Sequence, residues 1–202
     1  MTTNQHLRWV AKPAIWLLAL LPVAWLGWST AQKALGPNPA ETIDRFLGYW
    51  ALMLLWITLS VTPLRILTGW VSLLRFRRLL GLFSFFYAVL HLSSYIVINQ
   101  FFDWTAIWED ILKRTYIMFG LTGFFILALL ARTSTVNMVK RLGAQNWRRL
   151  HKCVYLAAIL VAIHFIMIRK GFQLEPLIYA GVLFLLLMSR LLLRRKQKTT
   201  SP

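Results

Sequence analysis

The sequence contains few charged residues, and acidic residues are the scarcest of them. Only 14% of its 202 residues are charged, with 6 Asp and Glu against 23 Lys and Arg. Soluble domains carry about 25% charged residues, so this composition argues against a soluble enzyme and against a disordered chain. Cysteine is equally scarce. Cys153 is the single cysteine, which excludes an intramolecular disulfide and any zinc or iron–sulfur site built from several cysteines.

Long apolar runs take the place of these residues. The chain is 58% apolar and contains 10 Trp and 13 Phe, and aromatic residues are typical of membrane interfaces. A membrane-spanning helix needs about 20 mostly apolar residues. Six runs approach this length, near residues 13–31, 46–61, 79–102, 115–131, 150–168 and 176–193. The sequence therefore predicts an all-α integral membrane protein, with six transmembrane helices in a single domain over residues 1–202.

The connections between these runs alternate in charge. The N-terminus, the second and fourth connections and the C-terminal tail together carry 17 Lys and Arg and no acid. The other three connections carry the remaining 6 basic residues and all 6 acids. Because basic loops stay in the cytoplasm, both termini are predicted to be cytoplasmic. The net charge of +17 is thus attributed to membrane topology, and no nucleic-acid partner is expected.

Residues 1–31 also fit a cleaved signal peptide, in which Arg8 and Lys12 would form the basic n-region. The apolar run is long for such a peptide and contains Pro22. We therefore predict a retained first span, and the orientation of the five later spans is the same in either case.

Histidine is almost the only ionisable residue type inside the predicted spans. Ionisable groups inside a membrane are costly and mark functional sites. At about 1.5 Å per residue, His91 lies roughly 18 Å from the start of its span, and His164 lies roughly 20 Å beyond His151. His91 and His164 are therefore expected at one level in the outer half, where two facing imidazoles would ligate a haem iron. For each histidine alone, the alternative is a hydrogen bond between helices.

His151 has no histidine at the matching level of the third span. Positions about 13 residues before His91 are occupied by Arg77 and Arg78. A second haem at His151 would need another ligand, and His6, a methionine, water or no ligand at all remain open. The number of haems, one or two, is open for the same reason.

Two geometric points constrain these histidines further. His151 and His164 would point about 140° apart on an ideal helix, so they would serve offset sites unless the helix is bent. Zinc or copper would also accept histidine ligands, but the same separation of roughly 20 Å prevents one ion from contacting all three. No Ser-His-Asp, paired-carboxylate, P-loop or GxGxxG pattern is present in the sequence.

Two stretches of the chain resemble a known family of membrane proteins. The first comprises residues 77–82 (RRLLGL), residues 87–91 (YAVLH) and Tyr95. The second comprises residues 133–134, residues 141–143 (RLG), Trp147, residues 150–151, Tyr155 and His164. Together with residues 21–22, 62–64 and 176–179, they resemble the MsrQ (YedZ) family. These are haem-binding membrane subunits of the bacterial periplasmic methionine sulfoxide reductase system, within the wider ferric-reductase-like transmembrane group.

The resemblance implies an electron-transfer subunit that is not catalytic alone. The family carries haem b on histidines that match His91, His151 and His164, and it binds FMN, for which this sequence shows no motif. Electrons come from a cytosolic flavin reductase or from a quinol. They pass to a periplasmic molybdopterin-containing subunit that repairs oxidised methionine. Thr115 stands where the family is expected to have proline, a departure in an outer loop.

Several residues near the predicted site have two interpretations. Arg77 and Arg78 could hold haem propionates or an FMN phosphate, or they could simply be part of the cytoplasmic charge signal. Arg190 is expected to reach the membrane interface from inside the last span. Gly120 and Gly123 are expected to permit close packing of helices.

The sequence thus predicts a b-type cytochrome of the bacterial inner membrane that passes electrons from the cytosol to a periplasmic reductase. One alternative is a stand-alone membrane ferric or quinone oxidoreductase, which would turn over without a partner. Another is a non-redox transporter or scaffold, which would bind no chromophore.

Overall fold

The computed structural model describes residues 7–168 and 173–199, and these residues form helices and short connections with no strand. Nine α-helices lie within them: α1 (Lys12–Ala31), α2 (Pro39–Thr68), α3 (Leu74–Ser94), α4 (Trp104–Lys113), α5 (Thr115–Arg132), α6 (Val136–Leu142), α7 (Ala144–Leu150), α8 (Cys153–Met167) and α9 (Leu174–Thr199). Short π- or 3₁₀-helical segments extend α1 and α3, at Leu7–Ala11, Val71–Leu73 and Tyr95–Asn99. The prediction of an all-α fold is confirmed.

Six helical stretches in the described residues are long and apolar enough to cross a membrane. They are Trp9–Ala31, Pro39–Thr68, Val71–Asn99, Thr115–Arg132, Ala144–Met167 and Leu174–Leu193. Large apolar side chains on their outer faces are exposed, for example Leu17 at 68% and Leu185 at 66%. Such a surface suits lipid and not water. The six predicted spans are confirmed, whereas the orientation of the termini stays a prediction.

The second spanning helix begins earlier than its apolar run. Asn38 precedes α2, where its side chain accepts a hydrogen bond from the Glu41 N–H at 3.3 Å and donates one to the Glu41 carboxylate at 2.9 Å. Pro39 occupies the first helical position, which its fixed φ favours. This reciprocal cap starts α2 at Pro39, so the charged residue Asp44 lies on the helix and not in a loop.

The chain divides into two compact units, Met1–Thr58 with Trp70–Phe102 and Leu59–Gly69 with Asp103–Pro202. The boundary cuts through the continuous helix α2. The single-domain organisation of residues 1–202 stays a prediction, and each unit is described by itself below.

The first unit is built from α1, the first part of α2, and α3. Its core is a cluster of buried side chains comprising Ala19, Leu26, Leu35, Leu47, Leu54, Phe83 and Tyr87. Ser84 on α3 adds a polar contact inside this unit, because its hydroxyl donates to the Ala51 carbonyl of α2 at 2.9 Å. Small polar residues of this kind stabilise helix pairs in a membrane.

Tyr87 connects α3 to α1 at a point where the hydrogen bonding of α1 is interrupted. Pro22 has no N–H and cannot donate within α1. Beside it, the Tyr87 hydroxyl donates to the Ala19 carbonyl at 2.7 Å and accepts from the Val23 N–H at 3.2 Å. The Tyr87 side chain is 0% exposed. One hydroxyl thus provides a hydrogen-bond partner for two backbone groups, which the hydrocarbon chains of a membrane could not do.

In the second unit, α5 packs along α8. A Cβ on Gly123 would lie 2.9 Å from Val161 Cγ2, so the absence of a side chain permits this close approach. The packing role predicted for Gly123 is therefore confirmed.

An amphipathic helix, α4, occupies part of the predicted loop before the fourth span. Asp103 caps it by accepting from the Ala106 N–H at 3.0 Å. Trp104, Trp108 and Leu112 lie four residues apart and are all more than 60% exposed, whereas Ile107 is buried. Such a face is typical of a helix in the plane of the membrane interface.

Two short helices, α6 and α7, occupy the fourth connection. The Thr135 hydroxyl caps α6 by accepting from the Met138 N–H at 3.3 Å. Gly143 joins α6 to α7 with φ +75°, a conformation that a side chain would strain. After this turn, α7 leads directly into His151.

Removing the Tyr87 hydroxyl tests its role as a connection between helices. We expect Tyr87→Phe to lower the free energy of unfolding in detergent by about 1–3 kcal/mol, because a buried carbonyl and N–H lose their partner. Thermal unfolding followed by circular dichroism measures this change. Tyr95→Phe is the matched control, since its hydroxyl accepts from the Gln100 side chain of its own segment at 3.3 Å. Equal destabilisation by both variants would contradict the assignment.

Candidate functional site

His91 lies on α3 in the first unit and is oriented by one residue of α2. Its Nδ1 is 2.9 Å from the Asp44 carbonyl oxygen and 3.2 Å from the Asp44 carboxylate Oδ1. The Ser94 hydroxyl donates to the same Oδ1 at 2.6 Å. Both Asp44 oxygens are acceptors, so Nδ1 of His91 carries the proton.

His164 lies on α8 in the second unit and has an equivalent contact with α5. Its Nδ1 is 2.7 Å from the Tyr116 carbonyl oxygen. The rings of His164 and Tyr116 lie close together, with centroids 5.9 Å apart. A carbonyl can only accept, so Nδ1 of His164 also carries the proton.

These contacts determine which nitrogen of each imidazole carries the proton. With the proton on Nδ1, a neutral ring keeps its lone pair on Nε2, the form in which histidine ligates a metal. A hydrogen bond from the other ring nitrogen to a carbonyl or carboxylate is the usual orienting partner of such a ligand. Each ring is therefore oriented with Nε2 as its metal-ligating atom.

His151 lies in the turn between α7 and α8. Its Nδ1 is 3.1 Å from the Trp147 carbonyl oxygen of its own chain segment, and its Nε2 is 3.4 Å from Ser134 Oγ. The Trp147 ring stacks on it at 3.9 Å with an interplanar angle of 27°. The Trp147 indole is held in turn by a 2.9 Å hydrogen bond to the Thr133 carbonyl.

The helix is interrupted at His151. Hydrogen bonds from Val154 to His151 and from Tyr155 to Lys152 span three residues, which marks a tighter turn. The expected 140° offset between His151 and His164 assumed an unbroken helix, so it does not apply here.

Arg77 and Arg78 both lie in the first turns of α3, where Arg77 is half-buried and Arg78 is exposed. They belong to the first unit, as His91 does. Their role in holding an anionic group stays a prediction.

Arg190 differs from its expected position at the membrane interface. It is 5% exposed and donates to the Tyr155 hydroxyl at 2.6 Å and to the Leu59 carbonyl. Its guanidinium also lies over the Tyr155 ring, 5.2 Å from the centroid. The expectation that Arg190 reaches the interface is wrong, because its guanidinium is buried and donates to Tyr155 and Leu59 inside the second unit.

The structure brings the histidines together only in part. His151 and His164 lie in the second unit and His91 in the first, so the pairing of His91 with His164 stays a prediction. Among the described residues, no three His, Cys, Asp or Glu side chains gather closely enough to hold one metal ion. A group that needs only one or two histidine ligands fits this arrangement better than a mononuclear zinc site with three or four protein ligands.

Sequence reasoning missed Asp44 as a partner of His91. The sequence places Asp44 in an outer connection, because the apolar run of the second span begins after it. The Asn38-Pro39-x-Glu41 pattern was the available signal, since it starts a helix that includes Asp44.

Comparison with known proteins places the chain in a class of membrane proteins. The sequence model of the family described as the ferric reductase like transmembrane component matches residues 15–162. The chain is therefore a ferric-reductase-like membrane protein.

Proteins of similar sequence identify the family within this class. The protein-methionine-sulfoxide reductase heme-binding subunit MsrQ of Rhodospirillum rubrum is 48% identical over 195 residues, covering 96% of this chain and 94% of the relative. Proteins of the same name from Xanthomonas campestris and Caulobacter vibrioides are 44% identical over 197 residues and 43% identical over 176 residues, respectively. They cover 95% and 87% of this chain, and 90% and 84% of their own lengths. The chain belongs to the MsrQ family, as the resemblance predicted.

Proposed function

We propose that this chain is a membrane b-type cytochrome that carries electrons to a methionine sulfoxide reductase. The observation that carries the proposal is the shared state of His91 and His164. Each donates its Nδ1–H to a backbone carbonyl of a neighbouring helix, at 2.9 Å and 2.7 Å. Relatives that share 43–48% of their sequence with the chain are named heme-binding subunits, and haem is the metal group that such histidines suit.

A bound haem would supply a one-electron carrier, since its iron is stable in both the ferrous and the ferric state. His91 and His164 would provide Nε2 to the iron. The carbonyls of Asp44 and Tyr116 would keep a proton on Nδ1 of each imidazole and orient both rings.

His91 differs from His164 in having a carboxylate beside its Nδ1. Asp44 Oδ1 lies 3.2 Å from that nitrogen. A carboxylate partner makes an imidazole a stronger donor of electrons to a metal, which favours the ferric state. We infer that Asp44 lowers the midpoint potential of the haem at His91.

His151 would serve a second, cytoplasmic cofactor position. Stacking on Trp147 and the hydrogen bond to the Trp147 carbonyl orient its ring. Arg77 and Arg78 would bind haem propionates or an FMN phosphate, because guanidinium groups form paired hydrogen bonds with such anions. FMN enters this proposal through the family resemblance alone.

An electron-transfer subunit needs one partner that donates electrons and one that accepts them. We infer that a cytosolic flavin reductase, or a quinol in the membrane, donates electrons to the chain. A periplasmic molybdopterin-containing methionine sulfoxide reductase accepts them and repairs oxidised proteins. The chain is not catalytic alone in this scheme. The names of the relatives support it, because they describe a subunit of that reductase.

We also propose that the chain resides in the bacterial inner membrane with both termini in the cytoplasm. The charge difference between the two sets of connections supports this orientation. Alkaline phosphatase fused after Gly36 or Asp103 is expected to be active, and the same enzyme fused after Gly143 is expected to be inactive. Green fluorescent protein fusions at these positions should show the reverse, and activity after Gly143 would overturn the orientation.

Substitution of the histidines tests the cytochrome itself. In dithionite-reduced minus oxidised spectra, we expect wild-type protein to show a b-type haem signal. His91→Ala and His164→Ala should lose the signal of the haem that these histidines hold, because each variant removes an axial ligand. Pyridine haemochrome analysis quantifies the haem per chain. The haem content of His151→Ala then decides between one haem and two.

The controls for these variants are size-exclusion profiles and helical circular dichroism in the same detergent. Folded wild-type protein that shows no haem, although it was produced in cells with ample haem, would favour the transporter or scaffold alternative. Reduction of ferric iron or quinone by the chain without a partner would favour the stand-alone oxidoreductase.

Asp44→Asn tests the influence of the carboxylate. The midpoint potential of the haem is expected to rise by tens of mV, where about 59 mV corresponds to a tenfold change in a one-electron equilibrium. Redox titration of the bound haem measures it. Asp103→Asn is the matched control, since asparagine caps α4 as well as aspartate does. A potential that is unchanged, or lowered, in Asp44→Asn would contradict the inference.

A further inference from the structure

The ring of His91 lies against a glycine of α2. A Cβ on Gly48 would lie 3.1 Å from His91 Cε1, 3.3 Å from Nδ1 and 3.4 Å from Nε2. Any other residue at this position would press on the imidazole. Gly48 is four residues after Asp44, whose carbonyl accepts the His91 Nδ1–H at 2.9 Å.

The ring of His164 lies against a glycine of α5 in the same way. A Cβ on Gly120 would lie 2.7 Å from His164 Nδ1, 2.9 Å from Cε1 and 3.2 Å from Cγ. Gly120 is four residues after Tyr116, whose carbonyl accepts the His164 Nδ1–H at 2.7 Å.

Both histidines therefore use one arrangement, a helix carbonyl at position i and a glycine at position i+4. We call this pair a histidine cradle, formed by Asp44 and Gly48 for His91 and by Tyr116 and Gly120 for His164. In a helix the carbonyl of residue i points towards residue i+4. A side chain at i+4 would cover it, whereas glycine leaves it open to a ring from the neighbouring helix.

Other glycines and the other described histidine show that the arrangement is selective. His151 uses the Trp147 carbonyl of its own segment. Gly123 lies one turn beyond Gly120 on α5 but contacts Val161 and not a histidine. Gly27 has nothing within 4 Å of an added Cβ. Glycine lowers helix stability, so its presence at both cradle positions is best explained by the contact with the ring.

We propose that Gly48 and Gly120 are positioning residues that set the orientation of the His91 and His164 imidazoles, and thereby the geometry with which each Nε2 approaches the haem iron. This inference rests on the proposed function. Neither glycine touches the iron, and each acts only through its histidine.

Alanine substitutions test the cradles, with one matched control on the same helix. Gly48→Ala and Gly120→Ala add a methyl group against an imidazole. Gly123→Ala adds one 2.9 Å from Val161 Cγ2, a clash of similar severity that leaves His164 alone. Gly27→Ala adds one in open space and controls for the substitution itself.

Three readouts separate positioning from folding. Circular dichroism and size exclusion report the folded fraction. The g values of the low-spin ferric haem, from electron paramagnetic resonance at low temperature, report the orientation of the axial imidazole planes. Transfer of haem to apomyoglobin reports how firmly the protein holds it.

We expect shifted g values in Gly48→Ala and Gly120→Ala, with haem transfer accelerated about tenfold, the scale at which orienting partners of metal ligands act. Gly120→Ala should have the larger effect, since its Cβ would lie closer to the ring. Gly123→Ala should lower stability while g values stay at those of wild type. If Gly120→Ala fails to fold, the milder Gly48→Ala still decides the question.

Wild-type g values and haem transfer in folded Gly48→Ala and Gly120→Ala would overturn the cradle proposal. Equal shifts in Gly123→Ala would also overturn it, because the effect would then be general to helix packing. Retention of full haem by His91→Ala and His164→Ala would instead overturn the proposed function. The two failures are therefore distinguishable.

Discussion

One constraint underlies the described structure: a polar group inside the hydrocarbon layer has to find its partner within the protein. Tyr87 meets it by bonding the Ala19 carbonyl and the Val23 N–H beside Pro22. Arg190 meets it by donating to the Tyr155 hydroxyl and the Leu59 carbonyl. The histidine cradles meet it as well, since each Nδ1–H is bonded to a helix carbonyl. Contacts that stabilise the fold and contacts that orient the site thus have one physical cause.

This constraint also selects the chemistry of the histidines. An imidazole in water exchanges its proton between two nitrogens and the solvent. Next to the carbonyl of Tyr116, the proton of His164 stays on Nδ1, because a carbonyl accepts and never donates. The lone pair then belongs to Nε2. The hydrogen bond that the buried His164 ring needs therefore also leaves Nε2 as its metal-ligating atom. A charged partner is not required for this.

The sequence predicts features that depend on neighbouring positions in the chain. It predicts contacts between helices less well. The six spans followed from apolar length, because a bilayer imposes that length on every helix. The exact bounds did not, since the cap at Asn38 starts α2 in a polar segment. Arg190 was misplaced because one partner, the Leu59 carbonyl, is 131 positions away. The i and i+4 pattern of the cradles becomes recognisable only once the helix that faces each histidine is known.

The two cradles differ in charge, and this difference is the feature least expected in a membrane protein. A carboxylate inside a membrane is costly unless donors satisfy it. Asp44 has two such donors, His91 Nδ1–H and the Ser94 hydroxyl, and its side chain keeps 18% of its surface exposed. In the His164 cradle, the residue at the equivalent position is Tyr116, whose carbonyl accepts the Nδ1–H. Two otherwise equivalent imidazoles therefore have different hydrogen-bond partners, and this difference arises in the second turn of α2 and not in the histidines themselves.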